Sequence, residues 1–313
     1  MEEIMHVGAR AARRGLLVLS VVVVLIGALF TGATAKPLDP GSSPDQRLIE
    51  YRIDIPAGDH DIPAILAVPK AGGPKAEHPT VLMVHGFASS KDEVGDMYRR
   101  EARYLAVAGY ASLRIDFAGS GESTQPFVEN TFDGMVMDTR IALDWLVDHP
   151  ATLDDRVGIL GFSLGSRIAA AVAGTDDRIE AFASWSGAVA NGRTNFEYYF
   201  DTFYDEACPD DSVIVDLGFR VVELSCAWFE SIDASTAQDV IADFDGPLLA
   251  AAGTEDTVVD PVWSRQLVFD AGSLDATLRI LPGADHIYLV LTPDQTLAEE
   301  VMLLTAEWFA GKL

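Results

Sequence analysis

The sequence predicts an α/β fold: an eight-stranded, mostly parallel sheet with helices on both faces and a helical cap inserted over the sheet's C-terminal edge. Three observations carry this. Short, continuous apolar runs alternate with stretches of helical periodicity through residues 80–309, the pattern of strands buried on both faces and joined by crossover helices. The 313 residues are 49% hydrophobic and 22% charged, enough apolar material for one large core. Residues 186–247 form a connection far longer than one helix and two short loops require.

Arg10, Arg13 and Arg14 precede an apolar run over 15–28 in which Ser20 is the one polar residue, continued by Leu29 and Phe30 and closed by Thr31-Gly32-Ala33-Thr34-Ala35. A positive region, an apolar region and an Ala-x-Ala ending describe a secretory signal peptide over 1–35. Arg13-Arg14 also admits a twin-arginine route, although its flanks match that pattern weakly. The alternative is a retained membrane anchor, because residues 15–34 suffice to span ~30 Å of hydrocarbon at about 1.5 Å per residue. Either reading exports the rest of the chain to the periplasm, the cell surface or the medium. Residues 36–46, rich in Pro, Gly, Ser and Asp, read as a linker.

The first part of the core covers 47–190. Residues 49–55 alternate with period two, 56–61 turn, and 62–68 return, so an antiparallel hairpin begins the sheet. Strands follow at 80–84, 111–115, 157–160 and 181–185, separated by helices at 92–108, 133–147 and 164–173. The cap covers 191–246 and holds Cys208, Cys226 and a dense aromatic set that includes Phe196, Tyr199, Phe203 and Trp228. Most of these aromatics are expected to pack cap against body, leaving a minority to line a pocket. The core resumes over 247–313 with strands at 248–252 and 277–281 and helices at 261–271 and 293–309.

Charge excludes one class of partner. With 31 Asp and 17 Glu against 17 Arg and 5 Lys, the net charge is −26, which repels a phosphate backbone and argues against nucleic acid. The Asp-rich, Lys-poor balance describes either a well-hydrated acidic surface or one adapted to high salt. In an oxidising compartment Cys208 and Cys226 suit a disulfide; in a reducing one, two buried thiols. No C-x-x-C or Cys/His cluster points to a metal.

Gly161-Phe162-Ser163-Leu164-Gly165 leaves one predicted strand and opens a helix, the strand-turn-helix context that G-x-S-x-G requires to present a serine above a sheet. Ser163 is therefore the candidate nucleophile, and the Leu164 N–H at the helix start a candidate oxyanion donor. His85-Gly86-Phe87 follows the strand at 80–84; there the Phe87 N–H is the second candidate donor, and His85 is expected to orient the loop. Asp256 and His286 each follow a later strand, in the chain order Ser, Asp, His that suits an acid and a general base. Asp260 and Asp285 are the weaker candidates for the acid. His6 falls in the leader, and His60, His78 and His149 lie in turns or beside prolines.

The segments HGFASSKDE (85–93), RIDFAGSGES (114–123), GFSLGS (161–166), GTEDTVVDP (253–261) and GADH (283–286) together resemble the α/β-hydrolase superfamily over about residues 47–311. Within it they are similar to cinnamoyl/feruloyl-type serine esterases and to the monoacylglycerol-lipase/S33 serine aminopeptidase-like group. The resemblance implies hydrolysis of a small-molecule carboxylic ester through a Ser163–His286–Asp256 triad and an acyl-enzyme, without metal or organic cofactor. It implies a cap that shapes the substrate pocket and a structural role for the 116–121 loop. Ser166 departs from the pattern where a third glycine is common. A serine nucleophile argues against the haloalkane dehalogenases, which use Asp.

Two other functions stay open. The same triad could cleave peptides or amides, with Glu197, Asp201, Asp205 or Glu206 meeting a substrate amine; otherwise those four form a solvated helix face. A noncatalytic binding protein of this fold would usually lack a triad member, and all three candidates are present.

Overall fold

The computed structural model describes residues 47–73, 75–208 and 211–313. The leader over 1–35 and the linker over 36–46 lie outside the described residues. The first strands, β1 (Leu48–Pro56) and β2 (Asp61–Pro69), form the expected hairpin. Then come β3 (His78–Val84), α1 (Met97–Ala108), β4 (Ala111–Ile115), α2 (Phe132–Val147), β5 (Thr152–Phe162), α3 (Leu164–Ala173) and β6 (Ile179–Trp185). Residues 191–246 contain α4 (Glu197–Ala207), β7 (Ser212–Asp216), β8 (Val221–Ser225), α5 (Cys226–Asp233) and α6 (Ala237–Val240). β9 (Leu248–Gly253), α7 (Val262–Asp270), β10 (Ala276–Leu281) and α8 (Thr296–Ala310) complete the chain.

All eight expected strands are present and form one sheet in the order β1-β2-β4-β3-β5-β6-β9-β10. β2 runs against both its neighbours, and every other pair beyond it is parallel. Residues 81–84 of β3 and 248–253 of β9 are buried throughout, which explains why these strands read as continuous apolar runs without alternation. α1 and α8 cover one face through Met97, Leu105, Val301 and Phe309. α2, α3 and α7 cover the other through Leu143, Ile168 and Leu267, and the cap residues Phe196, Phe200, Trp228 and Phe229 join that second core. The strand order reverses at β3, so the loops leaving β3 and β5 open a crevice at the C-terminal edge, the usual place for a site in such sheets.

Two elements differ from expectation. The helix expected from residue 92 begins at Met97, after a 3₁₀ turn over Val94–Asp96. Glu93 and Asp96 hold φ of 60° and 56°, left-handed values that an α-helix cannot accommodate. The cap, expected to be mostly helical, contains the antiparallel β7–β8 hairpin as well. Its strands alternate, with Val213, Val215, Val222 and Leu224 buried while Ile214 and Val221 face solvent. A Cys208–Cys226 disulfide brackets the hairpin.

Candidate active site

The elbow between β5 and α3 is built by steric exclusion. A Cβ on Gly161 would collide with Gly165 O, and one on Gly165 would collide with Val84 O and His85 O, so the turn closes only with glycine at both places. Ser163 at its tip holds φ 54° and ψ −118°, a conformation that costs a non-glycine residue about 1–3 kcal/mol and persists only where its surroundings over-determine it. They do so here. Ser163 N donates to Trp185 O at 2.9 Å, while Ser163 O accepts from Ser166 N at 3.0 Å and Ala188 N at 3.1 Å. Ser166 fills the place where glycine is common by donating its hydroxyl to Gly161 O at 2.8 Å and accepting from Ser184 Oγ at 3.0 Å.

The β3 loop lies against this serine. A Cβ on Gly86 would stand 3.3 Å from the Ser163 Cβ and 3.1 Å from Phe162 Cδ1. Neither Phe87 N–H nor Leu164 N–H is donated within the protein among the described residues. The loop is pinned instead on either side of Phe87 N. Gly86 N donates to Glu93 Oε1 at 2.5 Å, and the other Glu93 oxygen takes Ser89 Oγ and Val94 N, each at 2.8 Å. Phe117 N donates to His85 Nε2 at 3.2 Å, so the His85 proton resides on Nδ1 and is given to Gly86 O at 2.8 Å. Burial lowers the His85 pKa and favours this neutral ring, against the carboxylates of Glu93 and Asp116, which pull it upward. His85 thus orients the loop, as expected.

Asp256 and His286 come together. Asp256 Oδ2 lies 2.9 Å from His286 Nδ1, and its side chain is wholly buried while that of His286 is 13% exposed. Asp256 Oδ1 accepts from Val258 N and Val259 N, both at 2.9 Å, which fixes the plane of the carboxylate. The His286 ring packs 5.0 Å from the ring of Phe162, the residue before Ser163, and its Nε2 makes no hydrogen bond among the described residues. Asp260 and Asp285 are occupied locally: Asp260 Oδ1 takes Val262 N at 2.8 Å, and Asp285 Oδ1 takes Ile287 N at 3.1 Å and Leu289 N at 2.7 Å. A second His–Asp pair occurs at His60 and Asp138, but both His60 ring nitrogens face carboxylates, Asp59 and Asp138, so that ring has no edge left for a nucleophile. Burial pushes Asp138 up to about 6, with the His60 interaction acting against it.

The 116–121 loop shapes the site without entering its chemistry. Asp116 is buried, binds Lys91 Nζ, and accepts Lys91 N at 2.7 Å and Glu122 N at 2.9 Å. From the cap, Tyr199 and Trp228 each pack 5.4 Å from the Phe87 ring. Glu197, Asp201, Asp205 and Glu206 are all exposed on α4, the solvated face that was the plainer expectation. Sequence reasoning passed over Glu93, which fell only within the first turn of the helix expected over 92–108. It also passed over Arg167, which is buried on α3 and donates to Ala188 O, Gly192 O and Thr194 O to fix the entry to the cap. No group of three or more His, Cys, Asp or Glu is placed to hold a metal among the described residues.

Residues 79–212 match the family model for the alpha/beta hydrolase fold. The chain is 27% identical over 226 residues to dipeptidyl aminopeptidase BIII of Pseudoxanthomonas mexicana, covering 69% of this chain and 31% of that protein. It is 29% identical over 233 residues to 2,6-dihydropseudooxynicotine hydrolase of Paenarthrobacter nicotinovorans, covering 74% and 55%. The chain thus spans from under a third to about half the length of these curated relatives. Among solved structures, Est1E of Butyrivibrio proteoclasticus with bound ferulic acid superposes with a TM-score of 0.70 at 20% identity, over 83% of this chain and all of that one. With the sheet order, the serine elbow and these matches in agreement, the chain has the α/β-hydrolase fold.

Proposed function

We propose that the chain is an exported serine hydrolase that cleaves carboxylic esters of small molecules through Ser163, His286 and Asp256. One observation carries the reading: Ser163 stands at the tip of a strained elbow whose preceding residue, Phe162, packs against a histidine turned onto a buried aspartate. In this mechanism His286 Nε2 takes the Ser163 proton as Oγ attacks the ester carbonyl, and the Phe87 and Leu164 N–H groups meet the developing oxyanion. Collapse breaks the carbonyl C–O bond, and His286 protonates the departing alkoxide. Water deprotonated by His286 then releases the acid and regenerates Ser163. Asp256 holds the imidazole in the working tautomer and offsets its charge. The reaction is complete with protein groups and water.

Support for an ester comes from the likeness to a structure holding ferulic acid and from the solvated position of the four α4 carboxylates, which leaves a substrate amine without its candidate anchor. The aminopeptidase relative keeps amide cleavage as the rival. Export rests on the leader reading of residues 1–35, and a helix-plus-hairpin cap over 191–246 is proposed to shape the acyl or alcohol pocket. Initial rates on p-nitrophenyl esters, hydroxycinnamate methyl esters and amino-acyl p-nitroanilides test the reaction class. Ser163→Ala is expected to lower ester kcat by a factor on the order of 10⁶. Undiminished ester turnover in that variant would remove the mechanism, and faster anilide than ester turnover would move the protein to the peptidases.

A further inference from the structure

We propose that Arg220, at the tip of the β7–β8 hairpin, is a positioning residue for this reaction, holding the loop that carries the Phe87 N–H against Ser163. The inference rests on the serine-hydrolase reading and adds to it a part of the cap.

On the C-terminal side of Phe87, Ser89 is tied back to Glu93 and to Gly86 O, and the Ala88 carbonyl between them takes a further restraint. Glu93 and His85 fix the Gly86 end, but the next residue, Ala88, holds φ 55°, a left-handed value costing a residue with a Cβ about 1–2 kcal/mol. Arg220 supplies that restraint. Its Nη1 donates to Ala88 O at 3.2 Å, its Nη2 donates to Gly119 O, and its guanidinium lies 5.0 Å over the Phe127 ring. Phe127 in turn packs edge-on to Phe87 at 6.0 Å. One planar fork thus joins the loop after β3 to the loop after β4, a geometry that a lysine ammonium, a single point donor, cannot reproduce.

The hairpin is built to deliver this fork. Leu217 N donates to Arg220 O at 2.9 Å across the turn, and Gly218 N donates to Asp216 Oδ1 at 2.8 Å. At the other end Cys226 N donates to Asp211 O at 2.9 Å beside the Cys208–Cys226 disulfide. The cap is therefore fastened to the oxyanion loop by a side chain that touches no reacting atom. Arg220 is half-buried at a turn, so its replacement leaves the sheet core intact.

The test uses an alkyl fluorophosphonate, which needs no knowledge of the natural substrate. The Ser163 Oγ–P bond forms as P–F breaks, the serine proton passes to His286, fluoride leaves, and the phosphoryl oxygen occupies the oxyanion position. Labelling rates are followed by intact-mass spectrometry, with kcat and KM for a p-nitrophenyl ester and a melting curve for each variant. Arg220→Met is expected to slow labelling and lower kcat by about 10- to 100-fold, short of the loss of a whole oxyanion donor, while KM stays within about twofold. Arg220→Lys is expected to fall between Met and Arg, and it carries the test if the Met variant does not fold. Wild-type labelling rates in either folded variant, or a change confined to KM, would overturn the role of Arg220 alone. A wild-type chain that is never labelled at Ser163 would overturn the serine-hydrolase reading, and this role with it.

Discussion

Replacing Asp256 by asparagine tests the site at its most constrained atom. Asp256 Oδ1 accepts two backbone N–H groups, from Val258 and Val259, and Oδ2 faces His286 Nδ1. An asparagine must keep its oxygen on the two amides, because the flipped amide would set its NH₂ against two N–H donors with nothing to accept. Its NH₂ then points at His286 Nδ1, which becomes the acceptor and moves the imidazole proton to Nε2. A ring protonated at Nε2 cannot take the proton of Ser163. The expected loss is about 10⁴-fold in kcat, or roughly 5.4 kcal/mol at 1.36 kcal/mol per decade, with the fold unchanged. Stopped-flow and steady-state hydrolysis of a p-nitrophenyl ester measure it, with Asp260→Asn and Asp285→Asn as local controls expected to lose only a few-fold. A kcat within tenfold of wild type for Asp256→Asn, or a larger loss in either control, would refute the assignment of the acid.

Two stability predictions follow. Glu101 is buried on α1 with neither carboxylate oxygen hydrogen-bonded among the described residues, and burial raises its pKa well above the ordinary value of 4.5. The folded chain therefore keeps this proton while the unfolded chain releases it above pH 4.5, so stability falls as pH rises from there through the folded pKa. Glu101→Gln is expected to flatten that slope in urea unfolding between pH 5 and 9; an unchanged slope would reject it. Reducing the Cys208–Cys226 bond is expected to cost about 3 kcal/mol by loop-closure entropy, read as a shift in the urea midpoint against Cys208→Ser/Cys226→Ser, and a shift worth under ~1 kcal/mol would contradict it.

The parts of the fold legible in the sequence are those written in short-range patterns. Strands buried on both faces announce themselves as apolar runs, and Gly161 and Gly165 mark the elbow because backbone atoms fill the space a Cβ would need. Asp256 and His286 were found by their places after strands, not by any relation to each other. The hairpin in the cap was present as two alternating stretches, SVIVD and VVELS around Gly218, but each is only five residues long, too short for its period to stand out between two helical segments. Glu93 was placed at a helix start by its charge; its φ of 60° and its bond to Gly86 N are tertiary facts. The contacts of Arg220 span more than a hundred residues of chain, and no periodicity encodes such a pairing.

These long-range contacts converge on the direction of a single amide. In a trans peptide the C=O and the following N–H point to opposite sides, so whatever holds Gly86 O aims Phe87 N–H. Gly86 O is held by His85 Nδ1–H, and the proton is on Nδ1 because Phe117 N–H is donated to Nε2. A doubly protonated His85 would set two N–H donors against each other at Phe117, and relief would come by rotating the ring away from Gly86 O. Burial, which lowers the His85 pKa, thus favours the neutral ring that holds Gly86 O. With Ser89 N, which also donates to Gly86 O, a ring outside the proposed chemistry thus bears on the direction of the Phe87 N–H.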